Sequence, residues 1–164
     1  MINYKLHELD KPLKNFISVF IIVLTVGVLI GLVYVSTNTQ STASGLSEHY
    51  RGTEVVDDLD VPEKYPKAFS AMLLNTHSHI LSFAVIFLAI GAIFYFNTTI
   101  NGSMKSFLMI EPLIATLVTF GSLWGLRYVS PHFSYVVVIS GILMYSSYFI
   151  MVGVILYETL FKKN

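Results

Sequence analysis

The chain contains no cysteine and little charge. Without thiols it can have no disulfides, thiolate metal sites, covalent c-type haem attachment or acyl-thioester chemistry. Any metal or haem must be held by nitrogen and oxygen donors or by Met and Tyr. Charged residues make up 12% of the 164 residues, against about 25% in an ordinary soluble domain. The net charge is zero and no polybasic tract is present, which excludes nucleic acid as a partner. There is no P-loop, nucleophile elbow, His-Glu-x-x-His or Rossmann fingerprint, and so no catalytic residue to name.

Apolar residues are abundant, at 54%, and they are gathered in four runs. The runs Phe16–Val35, Met72–Phe96, Phe107–Leu126 and Phe133–Leu160 each reach the roughly 20 residues that cross a hydrocarbon core. Open backbone cannot face lipid, so the runs are helices. The expected fold class is all-α: an integral membrane four-helix bundle, residues 1–164 as one transmembrane domain, with a polar outer loop at 36–71 between helices one and two. The connections 97–106 and 127–132 are short, which makes helices two, three and four antiparallel neighbours. The first run is too long for a signal h-region of about 7–15 residues and reads as an uncleaved anchor.

Lysines set the expected orientation. Lys5, Lys11, Lys14, Lys105, Lys162 and Lys163 fall on one side; Arg51, Lys64, Lys67 and Arg127 fall on the other, beside most of the acids. The bias places both termini in the cytoplasm and the chain in a bacterial inner membrane. On that topology Asn97 and Asn101, although followed by the glycosylation pattern, lie in an inner loop.

Within the outer loop, Ser36–Gly45 reads as a flexible tether rich in Ser, Thr and Gly. Pro62 and Pro66 are expected to begin a short helix or turn that leads into the second span. Gly27-x-x-x-Gly31 reads as internal helix packing rather than oligomerisation. Trp124, Tyr34, Tyr128, Tyr135 and Tyr157 lie near span ends as an aromatic belt. Glu111 reads as a first-turn residue favourable to the helix dipole and Glu158 as a side chain reaching the interface near Lys162, in preference to an inner proton-handling pair.

The topology places four of the five histidines at one end: His77 and His79 at the start of span two, His132 at the start of span four, and His49 in the outer loop. Imidazole is the commonest metal ligand, and ionisable groups at membrane depth are functional candidates. Residues two apart on a helix lie about 200° apart, so His77 and His79 cannot both face one point. Two chemistries suit the set. A haem b would take an axial pair from His77 or His79 with His132, and its propionates would meet Arg51 and Arg127. A copper or zinc ion would draw three or four donors from His49, His77, His79, His132 and Glu48. Either would serve respiratory electron transfer or cofactor handling. Two other readings stay open. The chain would be a non-catalytic structural or assembly subunit of a larger membrane complex, such as a respiratory one, or a homo-oligomer; or it would hold a quinone between aromatic walls.

The segments His49-Tyr50-Arg51-Gly52, Lys64-Tyr65-Pro66-Lys67-x-Phe69, Thr76-His77-x-His79 and Arg127-Tyr128-x-Ser130-Pro131 resemble a family of small bacterial four-helix inner-membrane proteins. The resemblance covers about half the chain. It implies the four-helix fold and a coupling of the outer loop to the Thr-His-x-His helix, and it implies no particular reaction. Members often carry a further His lower in the second span, where this chain has Gly91-Ala92-Ile93-Phe94. That departure removes the ligand a two-haem electron wire across the membrane would need.

Overall fold

A computed structural model describes residues 5–53 and 61–162. The acidic run Glu54, Asp57, Asp58 and Asp60, and Lys163, lie outside the described residues. Five α-helices follow a single 3-10 turn at Leu6–Glu8: α1 (Lys11–Thr39), α2 (Ala43–Arg51), α3 (Phe69–Phe94), α4 (Gly102–Tyr128) and α5 (Phe133–Leu156). A π-turn, Tyr157–Phe161, continues α5. The four long helices are apolar and long enough to cross a membrane.

Helices α1 and α4 are longer than their apolar runs because polar residues extend them at both ends. Asp10 precedes α1 and Pro12 lies in its first turn, where a fixed φ and a missing N–H cost nothing. At the far end α1 continues through Ser36 to Thr39, so the expected tether is helix up to that point. Gln40 and Ser41 then take left-handed φ of 53° and 54° and reverse the chain. Thr42 caps α2, its hydroxyl accepting from Gly45 N–H at 3.0 Å. The reversal brings α2 against the last turn of α1, and Gly45 permits it: a Cβ there would overlap the Thr39 carbonyl.

Gly52, with φ 86°, ends α2, and residues 61–68 form the strap that leads into α3. Thr53 N–H donates to Lys64 O at 3.0 Å, and Lys67 N–H donates to Tyr50 O at 3.0 Å. Those pairings engage Lys64 O and Lys67 N–H outside any helix. The expected helical entry is therefore absent, and α3 begins only after Ala68.

The bundle is built on α4 and α5, which share the longest interface. Helix α3 lies against both. One buried cluster joins Ile21, Phe87, Phe94, Leu108, Tyr148 and Met151; a second, under α2, joins Leu46, Met72, Phe120, Leu123, Leu126 and Val137. Hydroxyl bridges supplement packing between helices: Thr119 with Ser140 at 2.7 Å, Ser147 with Glu111 at 2.5 Å and Ser18 with Thr159 at 2.9 Å. Such bonds matter where lipid gives no hydrophobic drive to association.

Helix α1 stands apart. It meets α5 and the π-turn toward its start and α2 at its far end, with no extended contact with α3 or α4. Thr25 bonds Tyr148 at 3.1 Å on that side. Gly27 and Gly31 contact nothing a Cβ would meet. The expectation that they pack internally is therefore corrected: they line open space. This contrast predicts that Gly45→Ala lowers stability by about 1–3 kcal/mol. Gly27→Ala and Gly31→Ala should lack that overpacking penalty, as thermal unfolding in detergent would show.

Candidate functional site

Because α1 diverges from the other helices, a groove of about 1500 Å³ runs between it and the α2–α5 body. Its walls are apolar for most of their length, from Phe20 and Leu24 on α1 to Phe83 on α3, Phe120 on α4 and Tyr145 and Phe149 on α5. Polar side chains gather toward the α2 end: His49, Tyr50, Asn75, Ser78, His79 and Ser82. An apolar trough with a few convergent polar groups at one end is the usual shape of a small-molecule site.

His79 is the best-defined of these groups. Its Nδ1 lies 2.8 Å from the carbonyl oxygen of Asn75, one helical turn back. A carbonyl can only accept, so Nδ1 carries the proton and, in the neutral ring, Nε2 keeps its lone pair. Among the described residues no side chain bonds Nε2. The ring packs on Phe120 at 5.1 Å and near Phe83 at 6.2 Å, which fixes its plane. The result is a single imidazole, oriented through its other nitrogen, with one donor nitrogen to offer. Metal-bound histidines are commonly held in this way. Asn75, which sequence reasoning did not select, holds both sides of the site: its carbonyl orients His79 and its amide donates to the Tyr50 hydroxyl at 3.4 Å. No side-chain pattern signalled this, because the carbonyl that orients His79 is main chain and any residue at that position would supply it.

His49 lines the same groove from α2, edge-on to Tyr50 at 5.1 Å. Burial, then the charges of Lys67 and Lys64, hold its imidazole below the ordinary value of 6.5, which favours the neutral ring. Burial likewise pushes the Tyr50 phenol up, against the opposing hydrogen bond from Asn75.

The other candidates lie elsewhere. His77 and His79 are both exposed, but only His79 lines the groove; His77 lies two residues away on a regular helix. His132 is exposed at the start of α5. Glu48 pairs with Lys64 at 3.2 Å. Among the described residues no three His, Cys, Asp or Glu come together at ligand spacing. Both arginines are spent on backbone. Arg51 Nη1 donates to Leu126 O at 3.0 Å, and Arg127 Nε donates to Lys67 O at 3.0 Å while its guanidinium lies 4.8 Å from the Tyr128 ring. Arg51 thus serves a carbonyl that the end of α4 leaves without a helical partner, and together they fasten α2 and the strap to the bundle. Trp124 donates to Thr76 Oγ1 at 2.9 Å, so it joins α4 to α3 besides marking an interface.

These features define an all-helical integral membrane protein whose bilayer-spanning body carries a lateral groove. Residues 40–164, from the reversal before α2 to the end of the chain, match the family model of a transmembrane helical domain. The chain belongs to that family of transmembrane helical proteins. No curated protein and no solved structure gives a significant match.

The depressed His49 value has a consequence for stability. Unfolded, His49 takes up a proton near 6.5; folded, it does so only at lower pH. The folded state therefore loses stability as pH falls below 6.5 until the folded ring also protonates. His49→Gln should flatten that acid limb of the thermal midpoint against pH, and an unchanged limb would place its cause in another group.

Proposed function

We propose that the groove holds a haem b with His79 Nε2 as axial ligand, in a protein serving respiratory electron transfer or cofactor handling in a bacterial inner membrane. The observation that carries this reading is the hydrogen bond from His79 Nδ1 to Asn75 O, which leaves one oriented nitrogen lone pair in an aromatic-walled, apolar trough. A copper or zinc ion needs three or four protein donors, and the described residues gather no such set. A haem brings four nitrogens of its own and asks the protein for one or two. Phe83, Phe120 and Tyr145 provide a wall for a flat ring. His49, on the same groove and favoured in its neutral form, is the candidate for the second axial position in place of His77 or His132. Lys64 is paired with Glu48 and both arginines with backbone carbonyls, which leaves Lys67, whose charge reaches His49, as the candidate to meet a propionate. With the lysine bias as the guide, this end faces outward and both termini are cytoplasmic.

A second reading rests on the same tautomer. A neutral His79 with its proton on Nδ1 can accept at Nε2 but cannot donate there. It suits the hydroxyl of a hydroquinone rather than the carbonyl of a quinone, and the long apolar trough suits a prenyl tail.

An optical spectrum of the protein purified in mild detergent, oxidised and dithionite-reduced, tests both. Haem predicts a reducible Soret band that is lost or shifted in His79→Ala and retained in His77→Ala and His132→Ala. A band indifferent to His79 would sink the axial assignment. A colourless protein that binds a hydroquinone analogue, with affinity lost in His79→Ala, would establish the second reading. A colourless protein that binds none leaves the arginine-stapled bundle as a structural or assembly subunit.

A further inference from the structure

A half-buried carboxyl group inside a span is not used by the groove chemistry. Glu111 lies on α4, nine residues beyond its start at Gly102, so it is well inside the span and not in the first turn where sequence placed it. Ser147 of α5 donates to its Oε2 at 2.5 Å, while its Oε1 is buried with no hydrogen-bond partner. The next residue, Pro112, has no N–H to donate and lies inside the helix.

Nothing in the neighbouring elements neutralises a charge here. Among the described residues, α5 carries no Lys, Arg, His, Asp or Glu from Phe133 to Leu156; its titratable side chains are the phenols Tyr135, Tyr145 and Tyr148. Helix α3 carries no charged or imidazole side chain from Ile80 to Phe94, and α1 has no charge beyond Lys14. On α4 itself Lys105 is turned to the carbonyls of Tyr95 and Asn97, at 3.0 and 2.7 Å. Glu158, completely buried, has a cation beside it: its Oε1 accepts from Thr98 N–H, the Thr98 and Thr99 hydroxyls and Lys162, while its Oε2 has no hydrogen-bond partner. Glu111 has one donor.

Glu111 also borders a separate groove of about 550 Å³, between α4 and α5. Ser103 and Ser106 lie at its end near the start of α4; Phe107, Ile110, Ile114 and Leu143 form its apolar walls. An unpaired carboxylate in such surroundings carries a heavy desolvation penalty. The neutralising cation must come from outside the chain. Divalent cations ask for six or more oxygens, and Glu111 and Ser147 supply too few. A proton asks for one.

We propose that Glu111 is an exchangeable intramembrane proton-binding site, positioned by Ser147 and reached through the α4–α5 groove. The site is independent of the haem or hydroquinone reading, since it shares no residue with His79 or His49.

A hydrophobic fluorescent carbodiimide, applied to the full chain in liposomes, is the probe. The carboxyl oxygen adds to the central carbon of the carbodiimide, the acid proton passes to one nitrogen, and the acyl group then migrates to nitrogen as a stable N-acylurea. Only the protonated acid begins this sequence. The expected result is one labelled residue, Glu111, found by peptide mass spectrometry. Labelling should be strong at acidic pH, decline about tenfold per pH unit once the group is mostly ionised, and be absent in Glu111→Gln. Infrared difference spectra should show a protonated-carboxyl carbonyl band that Glu111→Gln removes and Ser147→Ala shifts. Labelling that does not vary with pH, or no band difference between the wild type and Glu111→Gln, would overturn the proposal. Protection of Glu111 by NaCl at fixed pH would overturn it in favour of a sodium site.

Discussion

The hydrogen bonds from Arg51 to Leu126 O and from Arg127 to Lys67 O are the constraint on which the α2 end depends. A helix in hydrocarbon satisfies its own backbone, but its last carbonyls need partners where the chain leaves the span. Here α4 receives one from α2, while Arg127 at its end secures the strap that leads into α3. Charge-assisted bonds of this kind contribute about 1.5–3 kcal/mol each. With α2 fixed over α3, α4 and α5, α1 is held at its far end by Gly45 packed on Thr39 and toward its start by the bonds of Ser18 and Thr25. Between those two attachments it has nothing to close against. The large groove is the space left by that geometry, and His49 and Tyr50 reach its lining because α2 is stapled above it.

The four spans and the all-helical class were legible because hydropathy over a membrane thickness is a long, redundant signal. Their ends were not, since Lys11, Lys14, Asn15 and Ser36–Thr39 are polar residues that continue α1 into the interface. Helix α2 was hidden by composition: Ser, Thr and Gly between Ser36 and Gly45 look like a tether. The turn that breaks α1 from α2 uses left-handed Gln40 and Ser41 rather than the glycine that would have advertised it. Only Thr42, a cap three residues before Gly45, marked the start of a helix.

At the site, the gathering of histidines at one end was visible, and the two-residue spacing of His77 and His79 already implied that at most one faces inward. The ligand partners were not visible. Whether His49 or His132 shares a cavity with His79 depends on where a short connecting helix docks, which no local pattern encodes. The arginines could not be resolved either: a guanidinium that serves a helix-terminal carbonyl and one that serves a propionate present the same residue at the same interface. Side-chain direction decides between them, and that follows from packing.

The two intramembrane glutamates carry the same lesson further. Both read as interfacial residues on sequence grounds, and both are instead drawn into the protein. Glu158 became a junction: hydroxyls, a backbone N–H and a lysine converge on it from the α3–α4 connection and the C-terminal turn, with the His7 ring 3.8 Å away. The donors all meet Oε1 and leave Oε2 without one, but Lys162 balances the charge and the contacts close the bundle at the terminal end. Glu111 has a single hydroxyl on one oxygen and nothing on the other. Burying a polar group without partners costs more than leaving it out, since an apolar residue of similar size would pack against Ile110 and Leu143 without penalty. Each glutamate leaves one oxygen without a hydrogen-bond partner, but Glu158 has Lys162 beside it and Glu111 has no cation, so binding one that the chain does not itself contain is the simpler account of Glu111.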